Sequence, residues 1–490
     1  MLLTVPTSAR GTHTLLAGLA IPHKRGACHS SSAQPPGLWR RRAGLEIIII
    51  GVEKKLRLLR THFLVMRHAS EVVPHPRLFV YNHTLLETFL STQSESALQE
   101  WAFGRRLRGD AWGTDTWATA AILVYKLHQH PEWITRDPAL ADLFVIPLVP
   151  RRPTYNAVVA FEGDFKGEVR ENCNHLFHDN LAQSYAHLTE ATARSHVVAA
   201  VDYTPILAFC AMSGFGERPR SHRLLQRMRW IVHEEFEPAD RAPHRHYSFS
   251  PGLPGVHGGA MAINVPFPSG AAHERKALPN LMPQPWRFGF GSGGSGGSVG
   301  MAAVGDRSRP YLLSYSGSLN GSPENRKLRA AVARQCHAHG GALCRMNKIT
   351  QGLALDSDGA ADFYAVKRES VFCAEPGGHN RIRKGIADAV LCGCIPVLFL
   401  RPDERRRLWP LHWFGWRNDS TLMLDPAAFL SRDLDLVELL RRVPRERVTD
   451  MQRSLAQNAH RLAYLVEKEY EGDDAIDVML KGMAFGLPGG

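Results

Sequence analysis

Apolar positions in this chain alternate between short continuous runs and stripes at helical spacing. "RLFVYNH" (77–83), "LFVIPLV" (143–149), "SHVVAAVDY" (195–203) and "GAMAINVPFP" (259–268) read as buried strands. Between the first two, "TDTWATAAILVYKLHQHPEW" carries Trp117, Ala121, Val124, Leu127 and His128 along one side, which predicts an amphipathic helix. Asp137 before Pro138 predicts a helical turn just ahead of the second strand. The alternation resumes with "RPYLLSYSG" (309–317), a helical stripe in "ENRKLRAAVARQC" (324–336), and two strands, "SVFCA" (370–374) and "CIPVLFL" (394–400). A long helix is expected over "TDMQRSLAQNAHRLAYLVE" (449–467). Strands alternating with helices predict parallel sheets in an α/β protein.

One stretch breaks the pattern. "FGFGSGGSGGSVG" (288–300) has the composition of a flexible linker, and it lacks the Lys-Ser/Thr that a phosphate loop requires. The expected organisation is a basic segment over 1–76, an α/β domain over 77–287, a linker over 288–305, a second α/β domain over 306–447, and a helix and tail over 448–490. There is no internal repeat. Two domains joined in this way predict a ligand cleft between them.

Composition adds little, with 44% hydrophobic and 22% charged residues as in ordinary globular proteins. The net charge of +12 suggests nucleic acid until it is located. Residues 1–77 hold twelve Lys and Arg against Glu46, Glu53 and Glu71, which is +9 of the +12. The body of the protein is therefore not a basic platform, and a nucleic-acid role would fall to the N-terminal segment alone. The first 45 residues have six Lys or Arg, no acid, and a Ser30–Ser32 patch, as in an organelle transit peptide or a misassigned start. "IIIIGV" (47–52) is too short to span a bilayer. Among eight cysteines there is no Cys-x-x-Cys zinc spacing. Cys392 and Cys394 fall in a helix-to-strand corner. Cys336 and Cys344 flank a helix end, where they would pair in an oxidising compartment or remain buried thiols in a reducing one.

Chemistry concentrates in "SVFCAEPGGHNRIRKGIADAVLCGCIPVLFL" (370–400). The Pro376-Gly377-Gly378 turn leads into a helix marked by Ile382, Ile386, Ala389 and Val390, with Gly393 as its stop. A helix start offers unsatisfied N–H groups and partial positive charge to an anion. Arg381, Arg383 and Lys384 crowd that end with bases, where the helix dipole alone favours acids. Either an anion is held there or the helix has a solvated basic face. Lys384 and Asp388 lie four residues apart, so they share a face.

The ordered set of motifs resembles the exostosin family, glycosyltransferase family 47. "TRDPALADLFVIPLV" matches its Thr-x-Asp-Pro-x-x-Ala-Asp-x-Phe-x-x-Pro pattern, "RSHVVAAVDY" its Asp-His-Val strand, and "MAINVPFPS" the close of its first domain. "RPYLLSYSGSLNG" is similar to the Arg-x-x-Leu-x-x-Phe-x-Gly entry of the second domain. Residues 370–400 resemble the Ser-x-Phe-Cys-x-x-Pro-x-Gly signature that ends in Gly-Cys-Ile-Pro-Val. The resemblance spans roughly residues 77–467. It implies a GT-B fold: two Rossmann-like α/β domains facing a central cleft, after a poorly ordered N-terminal segment.

It also implies an inverting, metal-independent transfer from a nucleotide sugar, with no cofactor, to a glycan or glycoprotein, and admits another glycosyltransferase as a partner. The donor's diphosphate would meet Arg309, Gly317, Gly377, Gly378, Arg381, Arg383 and Lys384, with Asp388 on the ribose or sugar. Asp115, His196 and Asp202 are the candidates for the base that takes the acceptor's proton. Golgi residence follows from the resemblance. Asn82, Asn320 and Asn418 are sequons, as expected of a lumenal chain. Where the family has basic residues this chain has Gly377 and Gly385, and Ser195 replaces an acid, which leaves a degenerate, non-catalytic member as the alternative. Asp356 and Asp358 in "DSD", like Asp433 and Asp435 in "DLD", are read as loop acids rather than a metal pair. No His-x-x-x-His lies on an amphipathic helix, which argues against zinc.

Overall fold

Two five-stranded parallel sheets are formed, as the alternating pattern predicts. The computed structural model describes residues 74–81, 84–107, 111–114, 118–148, 185–200, 224, 227–233, 262–271, 273–274, 309–348, 358–378, 381–432, 434–467 and 473–486. The basic segment over 1–73, the Gly/Ser linker, Asn82 and Asp356 lie outside these residues.

The N-terminal sheet consists of β1 (Leu78–Val80), β2 (Leu143–Leu148), β3 (His196–Ala200), β4 (Arg229–Val232) and β5 (Ala262–Asn264), side by side in chain order. Helix α1 (Thr119–Gln129) connects β1 to β2 and is buried from Thr119 to Leu127. The predicted turn exists as Pro138–Leu140, with the Asp137 carboxylate accepting from Ala139 N at 2.9 Å.

The C-terminal sheet contains β6 (Tyr311–Gly317), β7 (Cys344–Lys348), β8 (Ser370–Glu375), β9 (Ile395–Phe399) and β10 (Leu422–Leu424), in the order β7-β6-β8-β9-β10. Three helices make the first three crossovers, α2 (Pro323–Leu343), α3 (Asp358–Arg368) and α4 (Lys384–Leu391), and the short helices Pro402–Arg407 and Arg417–Ser420 lie in the fourth. β8 and β9 are buried along their whole length, which is why they read as continuous apolar runs. β7, at an edge, has the mixed sequence "CRMNK" and no pattern to announce it.

α4 closes as a Schellman motif, with Gly393 N donating to Val390 O at 2.9 Å and Cys394 N to Ala389 O at 2.9 Å. Gly393 carries φ 66, so the expected stop is a left-handed glycine. Cys336 pairs with Cys344, and Cys373 on β8 with Cys394 before β9. The Cys392 thiol is free and buried.

The long terminal helix is shorter than expected. α5 (Arg445–Asn458) gives way to a 3₁₀ turn, Ala459–Leu462, and then to extended chain. The break sends Tyr464 into the N-terminal core, where its hydroxyl donates to Pro266 O at 2.7 Å. Helix α6 (Ala475–Phe485) follows the same path, and its Ala475, Ile476, Met479, Leu480 and Met483 pack in the core of the N-terminal sheet.

Candidate functional site

Where strand order reverses in a parallel sheet, a crevice opens at the carboxyl ends of the two flanking strands, and ligands of open α/β sheets bind there. In the C-terminal sheet the reversal falls between β6 and β8. β6 ends on Ser316 and Gly317, β8 on Glu375, and the Pro376–Gly378 turn and the start of α4 lie beside them. This edge therefore gathers Gly317, Gly377, Gly378, Arg383 and Lys384 from the expected donor set.

Its charges are carefully matched. Glu375, fully buried, takes Lys367 Nζ on one oxygen and Arg383 on the other, with Nε at 3.1 Å and Nη2 at 2.7 Å. Burial pushes the Glu375 carboxyl up, but the two cations outweigh it and its pKa is lowered. Arg383 Nη2 also donates to Ser316 O at 3.2 Å, so this side chain ties the ends of β6 and β8 together. Lys384 Nζ donates to Asp388 at 2.8 Å and to the Tyr364 hydroxyl at 3.0 Å. Burial would lower its pKa, but Asp388 and Tyr364 raise it, so Lys384 stays charged. The same Asp388 oxygen accepts from Ser269 Oγ at 2.6 Å, a residue just past β5. Arg381 pairs with Glu324 at 2.6 Å and Glu404 at 2.5 Å.

Lys384 and Asp388 do share a face, and there they meet each other. Side-chain exposure is 15% for Arg383 and 13% for Lys384, but 7% for Arg381 and 3% for Asp388. The first two cations are thus the accessible ones.

The two glycines that depart from the family pattern have steric reasons. A Cβ at Gly377 would lie 2.6 Å from Asn325 Nδ2, and one at Gly385 would lie 2.6 Å from Arg383 Nη2. Gly385 leaves room for the Glu375–Arg383 pair against the first turn of α4.

Two of the candidates lie away from this edge. Arg309 precedes β6 and lies at the opposite, amino-terminal edge of the sheet, where it donates to the carbonyls of Lys367 (3.2 Å), Ser370 (2.6 Å) and Cys392 (2.9 Å). It braces the bottom of the sheet and cannot reach a diphosphate at the Gly317 edge. His196 opens β3 and is fully buried. Its Nδ1 lies 2.8 Å from Thr192 O and its Nε2 2.9 Å from the Tyr81 hydroxyl, while burial lowers its pKa. Both of its ring nitrogens are engaged within the N-terminal half. Asp115 and Asp202 lie outside the described residues. Asp435 caps a helix turn, accepting from Glu438 N at 3.0 Å. No cluster of three metal-ligating side chains occurs among the described residues.

Arg329 and Asn325 escaped the sequence reading. On α2, Arg329 donates from Nε to Gly377 O at 2.7 Å, from Nη1 to Ser318 O at 2.9 Å, and to Asn320 O. Asn325 Nδ2 donates to Gly378 O at 2.9 Å. Both sit on a helix face that the "ENRKLRAAVARQC" stripe presents as polar, so no local signal distinguishes them from surface residues.

Residues 301–411 match the family model described as the Exostosin GT47 domain. The chain is 25% identical over 182 residues to a probable xyloglucan galactosyltransferase, GT15, of Arabidopsis thaliana, covering 36% of this chain and 37% of that protein. It is 35% identical over 95 residues to a second, GT12, from the same plant, covering 19% and 17% of the two chains. A xyloglucan-specific galacturonosyltransferase of Arabidopsis thaliana is 34% identical over 92 residues, covering 19% and 13%. The chain thus spans little more than a third of the first relative's length and less of the others.

Proposed function

From the premise that residues 301–411 form an exostosin GT47 domain, we propose that this chain is a glycosyltransferase using a nucleotide-sugar donor, uridine-linked, and a glycan acceptor. The observation that carries the proposal is the crevice between β6 and β8, where a glycine turn, the start of α4, and the partly exposed Arg383 and Lys384 converge. The donor's diphosphate would exchange with the carboxylate partners of these cations, and Asp388, released from Lys384, would meet the ribose or sugar. In the transfer, the acceptor oxygen bonds to the anomeric carbon with inversion as the bond to the diphosphate breaks. A base from the N-terminal half takes the hydroxyl proton, and the cations stabilise the leaving charge without a metal.

The relatives' names direct attention to galactosyl and galacturonosyl donors and xyloglucan acceptors. Two disulfides fit an oxidising lumen such as the Golgi. Among the described residues no helix is long and apolar enough to cross a membrane.

UDP release from UDP-galactose and UDP-galacturonic acid, with xyloglucan oligosaccharide acceptors, tests this reading. Turnover should persist in chelator, and the new bond should have the opposite anomeric configuration. Release that depends on manganese, or none with any donor, would count against it. A second reading is favoured by the carboxylate pairing of Arg381, Arg383 and Lys384: a member that binds sugar nucleotide without transferring it. Tight UDP binding with no turnover would select it.

A further inference from the structure

The loops on either side of the crevice are held from behind by one side chain. Ser318 and Asn320 follow β6, while Gly377 follows β8, yet the carbonyls of all three accept hydrogen bonds from Arg329. Arg329 is 5% exposed, and burial together with Arg383 lowers its pKa to about 10, so it is charged at neutral pH. Asn325, one turn earlier on α2, adds a bond to Gly378 O, which also accepts from Ser322 N at 3.0 Å. Gly321, at φ 155, comes close enough that a Cβ there would lie 2.7 Å from the same carbonyl.

The C=O and N–H of a trans peptide unit point in opposite directions. Turning the Ser318, Asn320 and Gly377 carbonyls onto Arg329 therefore directs the N–H groups of Leu319, Gly321 and Gly378 away from it. Successive N–H groups facing outward from a turn form a concavity for anions. We propose that Arg329 is a positioning residue for phosphate binding: it gathers the carbonyls of both crevice loops on the inside, so that their N–H groups line the donor's diphosphate site. The inference rests on the glycosyltransferase reading and adds to it a residue that touches no ligand. Lysine cannot replace it, because one ammonium does not reproduce a planar fork spanning two loops.

The test uses the full chain, titrated calorimetrically with UDP and separately with uridine. Arg329→Lys should raise the Kd for UDP about tenfold, and Asn325→Ala about threefold, with uridine binding unchanged in both. A folded Arg329→Lys variant that binds UDP like the parent would overturn the proposal. So would equal losses for UDP and uridine, which mark a purely structural role. If Arg329→Lys does not fold, Asn325→Ala decides on the same terms, because it removes only the bond to Gly378 O and a long 3.5 Å contact from Arg381 Nη1. If the parent binds no UDP, the glycosyltransferase reading fails and takes this inference with it. UDP binding by the parent that is unaltered in the variants removes only the role of Arg329.

Discussion

The two sheets satisfy their buried polar groups in different proportions. In the N-terminal half the interior holds histidines with neutral partners beside one buried ion pair, Lys126 with Asp474 at 3.2 Å. His233 Nε2 lies 2.6 Å from Thr119 Oγ1, and His273 lies 2.6 Å from Thr114 Oγ1 and 2.5 Å from Tyr464 O. In the C-terminal half the interior holds full charges, Lys367, Glu375, Arg383, Lys384 and Asp388, gathered at the β6–β8 edge. Burying ions costs several kcal/mol each unless they are paired, whereas a hydrogen-bonded neutral network costs far less. A scaffold is served by the second arrangement. Five charges retained at such cost together, at the strand ends where a ligand is expected, point to a site.

The comparison breaks most sharply at Glu375. Glu375→Leu strands Lys367 and Arg383 in the core and should cost about 3 to 5 kcal/mol, measured by urea unfolding. The wild-type carboxyl has a lowered folded pKa, so its contribution is full above the unfolded value, near 4.3, and is lost as pH falls through the folded one. A loss below 1 kcal/mol would show that the charges are not coupled. Lys384→Ala should weaken UDP binding roughly tenfold to a hundredfold, from about 1.5 to 3 kcal/mol of charge-assisted contact. It also leaves the buried Asp388 carboxylate with the Ser269 hydroxyl but without its cation, so some loss of stability should accompany the binding loss. Unchanged affinity would remove Lys384 from the site.

The N-terminal half should respond to pH in a different window. Burial lowers His233 and His273 to about 3 from an ordinary 6.5. The unfolded chain then binds more protons, so stability falls as pH drops below 6.5. The melting temperature should decline between about pH 6.5 and 5, and less steeply in His233→Gln; identical slopes would place the acid sensitivity elsewhere. The smallest effect belongs to neither interior. Asp435→Ala removes a helix cap and should cost about 1 kcal/mol, without altering UDP affinity.

Much of the architecture was legible because buried strands and left-handed glycines leave local marks. β8, β9 and the Gly393 stop can be read from a few residues each. β7 could not, since an edge strand needs no apolar run, and the end of α5 could not, because Tyr464 leaves the helix for a core far away in sequence. The Pro376 turn and the basic start of α4 were visible, whereas their carboxylate partners were not. Glu375 looks like the end of a strand until Lys367 and Arg383 are placed around it. Arg309 and His196 could not be placed in advance, because sequence shows that a residue is near a strand, but not at which end of the sheet its side chain acts.

Because α6 lies in the core of the N-terminal sheet, the order of synthesis and the order of completion differ. β5 ends at Asn264 and α6 begins at Ala475, 211 residues later. At about 5 to 20 residues per second, roughly 10 to 40 s of translation separate them. Throughout that interval the surfaces destined for Ile476, Met479 and Leu480 have no cover. The nascent first half must wait for the ribosome to finish, exposed to chaperones or to misassembly. A premature stop codon late in the message would thus damage the part of the protein that was made first.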